Sequence, residues 1–211
     1  MSNNNTSSGY NLKVVLLGEG CVGKTSLLLR YIEDKFNDKH FSTLQATFLN
    51  KKININNKRI NLAIWDTAGQ EKFHALGPIY YRNSNGAILV YDITDEDSFV
   101  KVKNWVKELK KMLGSDIVLV IAGNKIDLEH ERTVPLEEAE SYAIMVGAKH
   151  CYTSAKLNQG VENLFLELTQ QMIEKHDQTS QVGGSRTSRV LVVDDEIPVQ
   201  SSCCSGSKSN H

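Results

Sequence analysis

Residues 18–25 read Gly18-Glu19-Gly20-Cys21-Val22-Gly23-Lys24-Thr25, which matches the pattern Gly-x-x-x-x-Gly-Lys-Ser/Thr. An apolar run (residues 12–17) precedes this segment and an amphipathic run (residues 26–32) follows it, as a strand and a helix around a phosphate-binding loop would. The alternative is a glycine-rich turn with an exposed lysine, which the flanking patterns disfavour. We call residues 18–25 the phosphate loop.

The chemistry of the phosphate loop is that of a polyphosphate site. Glycines let backbone amides close around phosphate oxygens, Lys24 adds a cation, and the Thr25 hydroxyl can bind Mg²⁺. The predicted nucleotide contacts in and next to the loop are Gly18, Gly20, Cys21, Val22, Gly23, Lys24, Thr25 and Ser26.

A second cluster, Trp65-Asp66-Thr67-Ala68-Gly69-Gln70-Glu71, follows an apolar run at residues 60–65. Asp66 would lie at the carboxyl end of that strand, where open α/β sheets bind ligands, and it could hold Mg²⁺ directly or through water. Gly69 could offer its amide to the terminal phosphate, and Gln70 could orient a water molecule. The alternatives are a turn or helix cap for Asp66 and a solvated loop side chain for Gln70.

Two further segments predict where the base of a bound nucleotide would lie. Asn124-Lys125-Ile126-Asp127 follows the apolar run at residues 117–122, and Ser154-Ala155-Lys156 follows a weaker run near Cys151. Because a carboxylate only accepts hydrogen bonds, Asp127 could take both the ring N–H and the amino hydrogens of guanine, a donor pair that adenine lacks. In isolation a polar turn would be the better interpretation. After the two phosphate motifs, the order of segments favours GTP or GDP.

The rest of the chain alternates strand and helix patterns. Apolar β-branched runs at residues 12–17, 60–65, 87–91, 117–122 and 149–153 are mostly separated by stretches with helical spacing. This alternation predicts an α/β fold with a mainly parallel, six-stranded sheet and helices on both faces. Residues 48–55 and 58–65 flank Asn56-Asn57, which predicts a hairpin and one antiparallel edge strand.

The composition excludes several classes of protein. The 211 residues include 40% apolar and 23% charged residues, and their net charge is −1. A nucleic-acid partner is not expected, since such domains normally carry a positive excess. The longest apolar runs are far shorter than a membrane span, and no secretory leader is recognisable. Four cysteines at irregular spacing predict no disulfide framework and favour a reducing compartment.

With these motifs, residues 12–176 resemble the Rab subfamily of the Ras-like small GTPases. The motifs occur in family order and include Tyr80-Tyr81-Arg82 and Thr153-Ser154-Ala155-Lys156, and residues 72–79 look most like the early-endosomal Rab group. The resemblance implies a monomeric P-loop NTPase with a small G domain. It would be a GTP phosphohydrolase with slow intrinsic turnover and a GTP/GDP switch that recruits effectors to membranes in vesicular trafficking.

The resemblance also implies roles for single residues. Phe36 would stack on the guanine, and Ala155 would offer its amide to the base. Thr43 would join Thr25 and Asp66 as an Mg²⁺ ligand when the γ-phosphate is present. The aromatic triad, which comprises Phe48, Trp65 and Tyr80, would display the nucleotide state to effectors. Further partners would be a guanine nucleotide exchange factor, a GTPase-activating protein, and a GDP-dissociation inhibitor or escort protein.

In these terms the chain divides into a disordered leader (residues 1–10), a G domain (residues 11–176) and a flexible tail (residues 177–211). Residues 2–8 contain no apolar side chain that could offset the entropy of ordering them. In the tail, Cys203-Cys204 is the expected prenylation site. Three basic and four acidic side chains give the tail a charge of −1, so stable anchoring would need lipid on both cysteines. The expected location is the cytoplasmic face of intracellular membranes, especially early endosomes, with a cytosolic carrier-bound pool.

The sequence departs from the Rab pattern at two places. Residues 43–48 carry Gln45 where the family has glycine, which leaves the effectors open. Seven residues follow Cys203-Cys204, although Rab chains normally end within a few residues of that pair. The functional alternatives are a P-loop phosphotransferase that uses ATP and an interaction module that binds nucleotide only as a structural filler. The residues Asn124 to Asp127 disfavour the phosphotransferase, because they predict a guanine site.

Overall fold

The structure is a computed structural model that describes residues 9–39, 43, 45–68 and 77–182. Within these ranges six strands form one sheet in the order β2-β3-β1-β4-β5-β6. Strand β2 runs antiparallel to β3, and all other neighbours are parallel. The predicted sheet with one antiparallel edge strand is confirmed. The strands are β1 (Tyr10–Leu17), β2 (Thr47–Ile55), β3 (Lys58–Asp66), β4 (Gly86–Asp92), β5 (Val118–Asn124) and β6 (Lys149–Thr153).

The β2–β3 hairpin turns at the predicted pair. Asn56 and Asn57 both have positive φ, 50° and 63°. Two consecutive residues of this kind make the turn whose twist matches the flanking strands, and asparagine tolerates the conformation better than most residues. The register that follows places Phe48 opposite Trp65 on the two strands.

Helices cover both faces of the sheet, as the alternation predicts. The helices α1 and α5 pack on one face, where Phe165 and Leu168 of α5 are fully buried. The helices α3 and α4 pack on the other face through residues such as Val102 and Leu109. Among the described residues, no helix is long and apolar enough to cross a bilayer. The helices are α1 (Lys24–Glu33), α2 (Gly77–Tyr81), α3 (Glu96–Leu113), α4 (Leu136–Met145) and α5 (Val161–Val182), with a 3₁₀ helix at Ile126–Glu131.

The domain boundaries differ from those predicted at both ends. Tyr10, predicted to lie in the leader, is the first residue of β1 and pairs with Ile60. Helix α5 continues six residues beyond His176, into the segment predicted to be flexible tail. The Asp177 carboxylate links the two ends, because it accepts hydrogen bonds from Tyr10 Oη at 2.8 Å and Lys58 Nζ at 2.6 Å. These contacts join the start of β1, the hairpin and the last turns of α5.

His150 on β6 is a source of acid sensitivity in the fold. Burial and the nearby Arg132 guanidinium lower its pKa to about 4, and its Nε2 lies 3.0 Å from Tyr91 Oη. The Tyr152 ring packs against it at 4.4 Å between centroids. The unfolded chain therefore takes up a proton near the ordinary histidine pKa before the folded chain does, so stability should fall as pH falls from about 6.5 towards 4.

We expect the free energy of unfolding to decrease by about 1–2 kcal/mol between pH 7 and pH 5 through His150 alone. Denaturant titration at both pH values, with His150→Gln as the non-titrating control, measures this contribution. An equal decrease in the variant and the wild type would assign the acid sensitivity to other groups.

Candidate nucleotide-binding site

The phosphate loop follows β1 and leads directly into α1. Gly18 has a φ of 145°, and a Cβ atom there would lie 2.2 Å from the Val90 carbonyl oxygen of β4. Gly23 has a φ of 97°, and a Cβ atom there would lie 2.4 Å from Asn124 Nδ2. Both glycines are thus required by the backbone conformation and by the close approach of neighbouring strands and loops. The loop is held against the ends of β4 and β5.

Lys24 is buried inside this loop. Its Nζ donates to the carbonyl oxygens of Gly18 at 2.9 Å and Glu19 at 2.8 Å. Burial lowers its pKa to about 8, although the negative charges of Asp66 and Glu19 oppose the shift. A buried ammonium whose pKa is depressed in this way would be stabilised by an anion placed in the loop.

Three oxygen-bearing side chains meet beside Lys24. Thr25 Oγ1 donates to Asp66 Oδ2 at 2.6 Å and lies 2.8 Å from Thr43 Oγ1. Asp66 is 1% exposed, and burial raises its pKa against the opposing effects of Thr25 and Lys24. Its Oδ1 is buried and has no hydrogen-bond partner among the described residues. Two hydroxyls and a carboxylate with an unpartnered oxygen are the donor set that a hard cation such as Mg²⁺ prefers.

Asn124, the last residue of β5, connects the phosphate loop to the predicted base-reading loops. Its Nδ2 donates to the Val22 carbonyl at 2.9 Å, and its Oδ1 accepts from Thr153 Oγ1 at 3.2 Å and Ala155 N at 3.3 Å. The side chain is 1% exposed. Each of its polar atoms therefore bonds to the protein, so its observed role is to hold three loops in one relative position.

Asp127 and Ser154 lie together, as the sequence predicts. Ser154 Oγ donates to Asp127 Oδ1 at 2.6 Å, and it accepts from the backbone N–H of Leu157 at 3.0 Å. Lys125 adopts a left-handed φ of 68° and pairs with Asp92 at 2.6 Å. The carboxylate of Asp127 is thus oriented by a hydroxyl that the following loop itself fixes.

Some predicted contacts are placed differently or lie outside the described residues. The Gly20 amide donates to the Glu19 carboxylate at 2.9 Å, so the loop itself already uses this donor. The side chains of Cys21 and Lys156 are exposed, whereas that of Ser26 is buried. The catalytic candidate Gln70, its neighbour Gly69, and the tail cysteines Cys203 and Cys204 lie outside the described residues.

The aromatic triad forms a continuous surface. The ring centroids of Phe48 and Trp65 are 5.1 Å apart, and those of Trp65 and Tyr80 are 6.0 Å apart. Phe48 is 45% exposed. Lys13 Nζ lies 5.3 Å from the centre of the Trp65 ring, so the surface has a cationic neighbour. An exposed aromatic cluster at the hairpin is typical of a protein-contact site.

Sequence reasoning assigned no role to three residues that build the site, namely Asp92, Thr153 and Arg30. Asp92 ends β4 at the same sheet edge as the phosphate loop, and that strand-end position could have identified it. Thr153 Oγ1 bonds to Asn124, and the Arg30 guanidinium bonds to backbone carbonyls of residues 155 and 156. In the sequence Thr153 is only the first residue of a family motif, and Arg30 lies in an amphipathic run, so no local pattern indicates either of these bonds.

Comparison with known proteins identifies the family. The sequence profile described as the Ras family matches residues 13–174, which is most of the chain. The chain belongs to the Ras family. The Mus musculus protein named Ras-related protein Rab-21 is 68% identical to this chain over 206 residues, which cover 93% of this chain and 92% of the mouse protein. The Homo sapiens protein of that name is 68% identical over 207 residues with the same coverage. The Dictyostelium discoideum protein is 58% identical over 210 residues, covering 95% of this chain and 99% of its own.

These relatives place the chain in the Rab subfamily of the Ras family and confirm the small G domain predicted from the motifs. Residues 72–79 predicted a resemblance to the member numbered twenty-one, and the relatives carry that number. A Rab protein is a small GTPase of membrane trafficking that binds and hydrolyses GTP and works with regulators and effectors. The phosphotransferase alternative that uses ATP is not favoured.

Proposed function

We propose that the crevice formed by the phosphate loop, Asp66 and the loops after β5 and β6 binds GTP or GDP with Mg²⁺ and switches effector binding on early endosomes. One observation carries the site assignment: Asn124 bonds to Val22 and to Ala155, so that the predicted phosphate and base sites are two ends of one crevice. Such a crevice lies at the carboxyl ends of the parallel strands, where open α/β sheets bind ligands.

The phosphate end is assigned to the phosphate loop and the hydroxyl–carboxylate cluster. In this assignment the loop amides from Gly18 to Ser26 surround the phosphates, and Lys24 neutralises the phosphate charge. A phosphate oxygen would replace the Glu19 carboxylate as the acceptor for the Gly20 amide. Thr25, Thr43 and Asp66 would hold Mg²⁺, and the unpartnered Asp66 Oδ1 supports that assignment. When bound, the ion supplies positive charge to the phosphate oxygens.

The base end is assigned to the loops after β5 and β6. Asp127 accepts the donor pair of guanine, and Ser154 holds the carboxylate in position. Phe36 stacks on one face of the base, and Lys125, which Asp92 orients, covers the other with its aliphatic stem. Ala155 and Lys156 close the edge of the pocket, and Asn124 positions them.

Hydrolysis is assigned to Gln70, which orients the attacking water, while Gly69 offers its amide to the γ-phosphate. Phosphoryl transfer depends on positioning and charge neutralisation, and none of the motifs places an arginine on the γ-phosphate. Unassisted turnover is therefore slow, and a GTPase-activating protein supplies the missing charge. A guanine nucleotide exchange factor would reverse the switch by releasing GDP.

The effector surface is assigned to the aromatic triad because β2 and β3, which carry Phe48 and Trp65, connect the Thr43 and Asp66 segments. Loss of the γ-phosphate would release Thr43 and Gly69, and the change would reach the triad through these strands. Gln45, two residues after Thr43, would adjust which effectors bind.

For the tail, we propose prenylation of both Cys203 and Cys204, because one lipid chain gives only marginal membrane binding. The residues after α5 would connect the G domain to the lipid-bearing cysteines. The GDP form would be carried in the cytosol by a GDP-dissociation inhibitor or escort protein. The mass of the C-terminal peptide isolated from cells measures the lipid content directly.

Nucleotide identification on the purified protein tests the site assignment. We expect copurified GDP or GTP, and a competition titration should favour GTP over ATP by at least about a thousandfold, because adenine leaves the Asp127 carboxylate unpaired. Removal of Mg²⁺ with EDTA should accelerate GDP release, and Asp66→Asn should reduce that acceleration. Equal affinity for ATP, or a protein that holds no nucleotide, would contradict the proposal.

A further inference from the structure

The Arg30 side chain occupies the space between α1 and the loop after β6. It is 15% exposed, and its Nε donates to the Ala155 carbonyl at 2.9 Å. Its Nη2 donates to the Lys156 carbonyl at 3.3 Å. One face of the guanidinium therefore holds the backbone of the loop that closes the proposed base pocket.

The other end of the guanidinium holds the exit of α1. Arg30 Nη1 donates to both the backbone carbonyl and Oδ1 of Asp34, each at 3.0 Å. Asp34 ends the helix in a left-handed conformation with a φ of 52°. Asn158 Nδ2 also donates to Asp34 Oδ1, at 3.2 Å, which adds a second link between the helix exit and the β6 loop.

Phe36 lies two residues beyond Asp34. Its ring centre is 6.0 Å from Arg30 Cζ, and it is half-buried against the core cluster under α1 and α5. The orientation of the chain at Asp34 therefore determines where this ring enters the pocket. The two sides of the proposed base site, the Phe36 ring and the Ala155–Lys156 backbone, both contact the same guanidinium.

We infer that Arg30 is a positioning residue for guanine binding, which fixes the distance between the stacking wall at Phe36 and the loop wall at Ala155 and Lys156. This inference rests on the proposed function of the pocket. Arginine suits the task because its planar, permanently charged fork donates in several fixed directions at once, whereas a lysine ammonium acts as a compact point charge. Arg30→Lys keeps the charge and the helix propensity but cannot hold both walls.

We expect the Arg30 substitution to change the rate at which bound GDP is released. With fluorescent GDP and saturating Mg²⁺, Arg30→Lys should release nucleotide about tenfold faster than the wild type, equivalent to about 1.4 kcal/mol of lost affinity. The factor by which EDTA accelerates release should stay unchanged, because Arg30 contacts no phosphate-side residue among its described partners. An unchanged GDP release rate in Arg30→Lys would overturn the inference.

Two further variants separate positioning from general destabilisation. Asp177→Asn removes the ion pair with Lys58 at the opposite end of β1, and it should leave the GDP release rate as in the wild type. Phe36→Ala should accelerate release by itself, and adding Arg30→Lys should then have less than its separate effect, since both changes act on the same wall. Full additivity in this double variant, or equally fast release from Asp177→Asn, would overturn the inference.

If Arg30→Lys does not fold, a third variant still tests the inference. Asp34 is 78% exposed at its side chain, so Asp34→Asn should fold normally and still weaken one arm of the fork. We expect about threefold faster GDP release from it, and a wild-type rate would count against the inference. A wild-type protein that binds no guanine nucleotide would instead refute the proposed function, and the two failures are thus distinguishable.

Discussion

Asp127→Asn should lower the affinity for GDP by about a thousandfold or more, because the amide presents a donor where guanine also presents a donor. The structure strengthens this expectation. Ser154 Oγ donates to Asp127 Oδ1 at 2.6 Å, and the same bond would hold the amide oxygen of the variant, so the amide cannot turn away to relieve the mismatch without breaking it. A buried polar pair left unsatisfied is the main penalty in such sites.

The same variant should gain affinity for xanthosine diphosphate, whose base carries an oxygen in place of the amino group and can accept from the new amide. Competition titrations with GDP and xanthosine diphosphate on both proteins measure the reversal. The gain is an internal control, because a misfolded variant would lose both ligands. Retained GDP preference in Asp127→Asn would remove Asp127 from the base site.

Gly18→Ala should have the largest effect on stability. The new Cβ would lie 2.2 Å from the Val90 carbonyl oxygen, which belongs to the central strand β4 and cannot move independently of the sheet. The loop must therefore shift, and we expect a loss of about 3 kcal/mol or more in unfolding free energy together with loss of tight GDP binding.

Gly114→Ala is the matched control for this prediction. Gly114 also has a positive φ, 74°, but apart from its chain neighbours no atom of the described residues lies within 4 Å of the position that its Cβ would take. Its substitution should cost about 1–2 kcal/mol from backbone strain alone and leave GDP binding intact. Denaturant unfolding of both variants without nucleotide compares the two, and equal losses would show that the contact with Val90 has no energetic consequence.

The elements that local patterns specify were predictable. Alternating apolar runs and helical spacings predicted a mainly parallel sheet covered on both faces, and Asn56-Asn57 predicted the one antiparallel hairpin. The strand-to-helix position of the phosphate loop, with Asp66 at the end of β3, placed two site segments at one sheet edge. Each of these features depends on the chemistry and spacing of neighbouring residues, which a linear sequence displays.

The features that join distant segments were not predictable. Helix α5 extends to Val182, and its Asp177 bonds to Tyr10, 167 positions earlier. Asn124 was predicted as a nucleotide contact, yet the structure uses each of its polar atoms to hold Val22, Thr153 and Ala155 together.

The linear order of residues was therefore enough to specify the fold class and the motifs, and to predict that they bind a guanosine phosphate with Mg²⁺. The rigid spacing between the two ends of the crevice required the folded chain, because Arg30 and Ala155 are 125 positions apart and their bond depends on how α1 packs beside α5 and β6. Hydrogen bonds of that kind depend on distance and direction in space, and neither is encoded by the spacing of residues along the chain.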